Sequence, residues 1–240
     1  MLDKVSVECA AAIAEIDILI GGLCDLLYAA RMRGNEVNTA AAAVIVRSAL
    51  EVGGRLLWLL DPQIDGVERG RRYLVWRFED LKQLRYMLQT SSGNSDADAE
   101  GVAHADNVER GLVEVAFDAG WSAKPQRLQP SSVEPAALVG EDGKSERMPS
   151  YGELAATAAL VNDAYKLLSL PAHGQRYEFL ATLEPDLDTG QIRIGGSALD
   201  PGLLLRWACL SLALPAIALA RWNGLSDSRM MTLIAPIAQR

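Results

Sequence analysis

Apolar positions near the start of the chain recur in steps of three and four. Leu2, Val5, Cys9, Ile13, Ile16, Ile20, Leu23 and Leu27 therefore share one face of a helix, which Gly34-Asn35 breaks. A second helix is predicted from Val37 to Leu60. It stops at Asp61-Pro62, because the residue before a proline is pushed out of the αR region. So short a connection predicts an antiparallel pair. The third helix runs from Asp65 to Gln89 on a stripe of Val67, Leu74, Phe78, Leu81 and Leu88. Residues 90–98 are polar and without period, and read as a flexible linker. A fourth helix carries Val102, Ala105, Val108, Leu112 and Val115 and ends at Gly120.

Residues 121–149 hold Pro125, Pro130, Pro135 and Pro149 with no sustained period, which predicts a long irregular loop. Ser150 with Glu153 is a capping-box signature, and Leu154, Ala158, Val161, Tyr165 and Leu168 form the stripe of a fifth helix. Gln191 to Ile194 alternates and suits a short extended piece. Asp200-Pro201 opens a sixth helix that Gly224 closes. The pattern as a whole predicts an all-α multi-helix bundle, one helical domain over 1–240, with a long irregular connection in its middle.

Composition bounds the function. Half of the 240 residues are apolar and 22% are charged, enough for a substantial core. A net charge of −8 argues against a protein that coats nucleic acid, since phosphate contacts need clustered Lys and Arg; a local basic patch could still do that work, and no DNA partner is expected. Cys9, Cys24 and Cys209 are scattered and odd in number, and read as buried free thiols in a reducing cytoplasm. Early charges such as Asp3, Lys4 and Glu8 exclude a signal peptide. The 14 residues between Arg206 and Arg221 are uncharged and apolar but fall short of the roughly 20 that span a bilayer, so a core helix is expected and no membrane contact.

Three groups of residues can carry chemistry. Arg47, Glu51 and Arg55 lie four apart on the second helix and so share a face. That face is either a solvated stripe or a charged row able to clamp an anion. The third helix concentrates Arg69, Arg71, Arg72, Arg77, Lys82 and Arg85 with Trp76 and Tyr86 interleaved, a pattern open to phosphate contact and stacking. Asn162, Lys166, Ser169 and His173 follow helical steps, and a histidine can move protons near neutrality. Glu100 and His104 have ligand spacing without a second His motif, so neither a metal nor any other cofactor is expected.

Arg47 with Glu51, then Trp58 to Pro62, then Arg69 and Arg72, and finally Tyr165, Ser169 and His173-Gly174 resemble a family of helical proteins from high-GC bacteria. That family in turn resembles the HEPN superfamily (higher eukaryote and prokaryote nucleotide-binding). The resemblance implies a helical bundle, commonly a homodimer. Many such proteins are metal-independent endoribonucleases of toxin–antitoxin or defence systems, with an Arg and a His late in one helix. His173 matches the histidine, and Lys166 stands where the family has arginine. Lysine lacks the planar fork that grips phosphate twice. The first expectation is accordingly a non-catalytic interaction or nucleotide/RNA-binding module. The alternatives are a ribonuclease using His173 with Lys166, and a small-molecule binder or enzyme at Arg47, Glu51 and Arg55.

Overall fold

The computed structural model describes residues 2–33, 39–90, 96–123, 137–140, 143, 145–160, 164–165, 168–169, 183–185, 192–194, 201–226 and 228. Helices dominate: α1 (Leu2–Arg33), α2 (Thr39–Leu59), α3 (Gly66–Thr90), α4 (Asp96–Asp118), α5 (Tyr151–Ala159) and α6 (Pro201–Trp222). Where the sequence pattern gave no boundary, the chain divides into two compact units. One comprises Met1–Val5 and Gln63–Met148, the other Ser6–Pro62 and Pro149–Arg240.

The larger unit is built around α2, which packs against both α5 and α6. Ala42, Ala43, Val46 and Leu50 of α2 join Leu23 of α1, Ala155, Ala158 and Ala159 of α5, and Leu204, Trp207 and Ala208 of α6 in one apolar cluster. Two adjacent glycines set the spacing. A Cβ at Gly53 would lie 2.6 Å from the Ser211 carbonyl oxygen of α6, and one at Gly54 would collide with the backbone of Leu154 in α5. Close approach of this kind needs residues without side chains. The α5 N-terminus is held as its sequence predicts: Ser150 caps Glu153, and the Glu153 carboxylate accepts from the Ser150 amide at 2.8 Å.

The expected single helix through Leu168 is interrupted. Leu160 adopts the left-handed conformation, φ 57° and ψ 24°, and ends α5. Helical residues resume at Ala164-Tyr165 and at Leu168-Ser169, while Val161 lies outside the described residues. The extended piece expected near residue 192 is present as β5 (Ile192–Ile194), paired antiparallel with β4 (Leu183–Pro185). Pro215 does not end α6, which makes that helix 22 residues, long and apolar enough by length and composition to cross a membrane. The uncharged run between Arg206 and Arg221 is only part of that helix. Leu204, Trp207, Ala208, Leu210 and Ile217 nevertheless form a buried side.

In the smaller unit α3 packs on α4. Leu74, Phe78 and Leu81 are buried as predicted, together with Tyr73, Val75 and Trp76, but Val67 at the first turn is 66% exposed. Residues 96–98 of the expected linker belong to α4, and Thr90 still belongs to α3. The segment expected to be irregular instead contributes a three-stranded antiparallel sheet in the order β1 (Trp121–Ala123), β2 (Ala137–Gly140), β3 (Ser145–Arg147). Trp121 pairs with Gly140, and Leu138 with Glu146. Trp121, Leu138 and Met148 bury their side chains. Strands this short cannot display an alternating period, which hid the sheet from the pattern. The cysteines also depart from expectation: Cys9 is buried, whereas Cys24 is exposed and Cys209 partly so.

Candidate functional site

The charged row of α2 does not face open solvent. Arg47 donates from Nε to Glu51 at 2.8 Å and from Nη2 to the Tyr165 hydroxyl at 2.6 Å. Its guanidinium carbon also lies 4.6 Å from the Tyr165 ring centroid. Two turns further on, Arg55 donates to the Tyr151 hydroxyl at 3.1 Å and lies 5.3 Å from that ring. Each arginine therefore has both a phenol oxygen and a π face from one tyrosine. The helical spacing of α2 aligns the two cations, and the α5 first turn and the helical residues at 164–165 bring the rings.

Arg47 and Glu51 retain 21% and 22% exposure of their side chains. Burial is the largest single influence on the Arg47 pKa and lowers it, but Glu51 and Tyr165 together outweigh burial and leave the pKa above the usual arginine value. The cation is thus permanent at any biological pH. A guanidinium carries more N–H donors than these two contacts use. What the row offers is binding chemistry: two fixed cations, one carboxylate and two aromatic rings.

Ser169 is placed against the same tyrosine, but by its backbone. It is buried and donates from Oγ to the Tyr165 carbonyl at 2.6 Å, closing a helical turn rather than presenting a hydroxyl to a ligand. His173 and Lys166 lie outside the described residues.

The basic helix α3 is arranged differently. Arg72 forms an ion pair with Glu146 of β3, Nε lying 3.0 Å from the carboxylate, and Arg71 is paired with Glu68 at 3.0 Å from Nε. Arg85 is buried between Asp106, at 2.9 Å, and Glu109 of α4. Lys82 lies 3.6 Å from the buried Glu79. Arg69 is itself buried, with Nη2 3.4 Å from the Ile64 carbonyl oxygen. These cations neutralise carboxylates inside the unit, and Trp76 is turned into the core, while Tyr86 remains 49% exposed. Arg69 and Arg72 are accordingly placed for packing within the smaller unit.

Among the described residues no group of three or more His, Cys, Asp or Glu is disposed to hold a metal ion. Sequence reasoning found Arg47, Glu51, Arg55 and Tyr165 but missed Tyr151. It sits 96 residues from its partner, and only its place in the first turn after a capping box could have marked it. No protein-family model, curated protein or solved structure matches the chain.

Proposed function

We propose that this chain is a HEPN-like helical module that binds a nucleotide or single-stranded RNA without cleaving it, through the α2 row of Arg47, Glu51 and Arg55 with Tyr151 and Tyr165. The observation that carries the reading is Arg47. Its guanidinium is held in place on two sides, 2.8 Å from Glu51 and 2.6 Å from Tyr165, yet its side chain keeps 21% of its surface open. A cation already fixed in one geometry loses little conformational freedom when it grips a phosphate. Arg55 lies about 12 Å further along the axis at helical rise, a span suited to phosphates two nucleotides apart on an extended strand. Aromatic rings beside such cations serve base stacking. The resemblance described for Arg47, Tyr165, Ser169 and His173 supports the same substrate class.

Fluorescence anisotropy with a labelled oligoribonucleotide tests this. Arg47→Ala should weaken binding about tenfold or more, the equivalent of losing one charge-assisted contact. Arg47→Lys should recover only part of the loss, because the planar fork is gone. Equal affinity of wild type and Arg47→Ala, both folded by circular dichroism, would refute the proposal. Cleavage of the oligoribonucleotide in excess chelator, abolished by His173→Ala, would replace it with the metal-independent endoribonuclease reading. The same samples report by light scattering whether the module is a homodimer.

A further inference from the structure

Glu51 is the one acid of α2, and half of its carboxylate is unused. Oε1 accepts from Arg47 Nε at 2.8 Å, while Oε2 has no side-chain partner among the described residues. Arg55 is the partner its spacing favours, because an acid four residues before a base is the better order for pairing on a helix. Arg55 instead donates to the Tyr151 hydroxyl at 3.1 Å and lies 5.3 Å from the centroid of that ring. Oε2 is not sealed in the core, and the Glu51 side chain keeps 22% of its surface open. An ionised carboxylate has about four acceptor positions, and Arg47 takes one of them. The row thus presents an accessible pair of acceptor oxygens, fixed in place by Arg47.

At helical rise Glu51 stands about 6 Å along the axis from each arginine, midway between them. When Arg47 and Arg55 hold phosphates two nucleotides apart, the base of the nucleotide in between falls within reach of Glu51. A carboxylate accepts and never donates, so it favours a base edge with adjacent donors and repels one that offers lone pairs. Guanine alone among the RNA bases has neighbouring donors on its Watson–Crick edge, N1–H and the N2 amino group. Adenine and cytosine each set an amino group beside a ring-nitrogen acceptor, and uracil sets N3–H between two carbonyls. A single strand leaves that edge free to be read. Resting on the nucleotide-binding reading of this row, we propose that the site selects guanine. Glu51 accepts from N1–H and from the N2 amino group while the arginines hold the flanking phosphates.

The 5′-monophosphates of guanosine, adenosine, cytidine and uridine share one phosphate and one sugar. Their competition against a labelled oligoribonucleotide therefore isolates the base. The guanosine nucleotide should displace the label at about one-tenth the concentration that the others need, a ratio in line with one charge-assisted contact. Inosine 5′-monophosphate keeps N1–H but lacks the amino group, and should fall between the guanosine and adenosine nucleotides. Glu51→Gln exchanges one acceptor for a donor, and should bring the guanosine-to-adenosine ratio close to one. Equal competition by the four nucleotides, or preference for another base, while the oligoribonucleotide still binds would overturn the guanine assignment and leave nucleotide binding standing. A guanine preference that survived in folded Glu51→Gln would overturn it as well. So would inosine matching guanosine, a comparison that needs only the wild type. A wild type that bound no oligoribonucleotide at all would bring down both readings together.

Discussion

Leu160 is the residue at which backbone and side chain disagree most. A left-handed conformation costs an L-residue about 1–2 kcal/mol, and Leu160 is 61% exposed, so its side chain returns little through burial. Leu160→Gly should raise stability by about 0.5–1 kcal/mol, the relief being partly offset by the freer unfolded glycine. Leu160→Val should lower it, since branching at Cβ worsens the same clash. Urea midpoints of the two variants check both signs.

Glu146 makes a prediction about pH. Burial is the largest cause of its raised pKa, the neighbouring Glu68 adds to the rise, and Arg72 and Arg71 act against it. A carboxyl whose folded pKa exceeds its unfolded one holds its proton more tightly when folded. Its contribution to stability is therefore full in acid and is lost as pH rises through the folded value. The stability difference between wild type and Glu146→Gln should fall as pH climbs from the ordinary glutamate range to above it. A difference that grew with pH would contradict the assigned cause.

Among the elements, α5 depends most on its two ends. Ser150→Ala removes the cap that accepts from the Glu153 amide, and should cost about 1 kcal/mol. Gly54→Ala should cost more, about 2–3 kcal/mol, since the new methyl meets the Leu154 backbone, which cannot rotate away. Thermal melts of the two variants rank them. This scale also shows how much the sequence declared. The capping box, the proline stop after Asp61 and the three-and-four rhythm marked most helix positions, because each is a local signal. The three-stranded sheet was hidden because its strands are three or four residues long and the first two are joined by a proline-bearing segment. The break at Leu160 was hidden for another reason: leucine gives no local hint of a left-handed turn. The α2 row was legible as a face, but its partners were not, since Tyr165 lies 118 residues from Arg47 in the chain.

For the molecule as a whole, charge sets the terms of binding. The net charge is −8, most cations of α3 are paired to carboxylates, and the proposed phosphate contacts are the two arginines of the α2 row. The proposed affinity for single-stranded RNA should therefore depend weakly on salt. Two phosphate contacts imply a slope of about −1.4 in log K against log salt concentration. Anisotropy titrations over a salt series would expose a steeper slope, which would point to a larger basic surface than the α2 row.

The Gly53-Gly54 pair has a consequence for anyone redesigning this scaffold. One turn of a single rod sets the depth at which two neighbours seat themselves, Ser211 on one flank and Leu154 on the other. Bulk introduced at either glycine would prise one neighbour outward and disturb the seat of the other. The dipeptide is thus the hinge pin of the larger unit, to be kept fixed while the exposed face of α1 is recoloured at will.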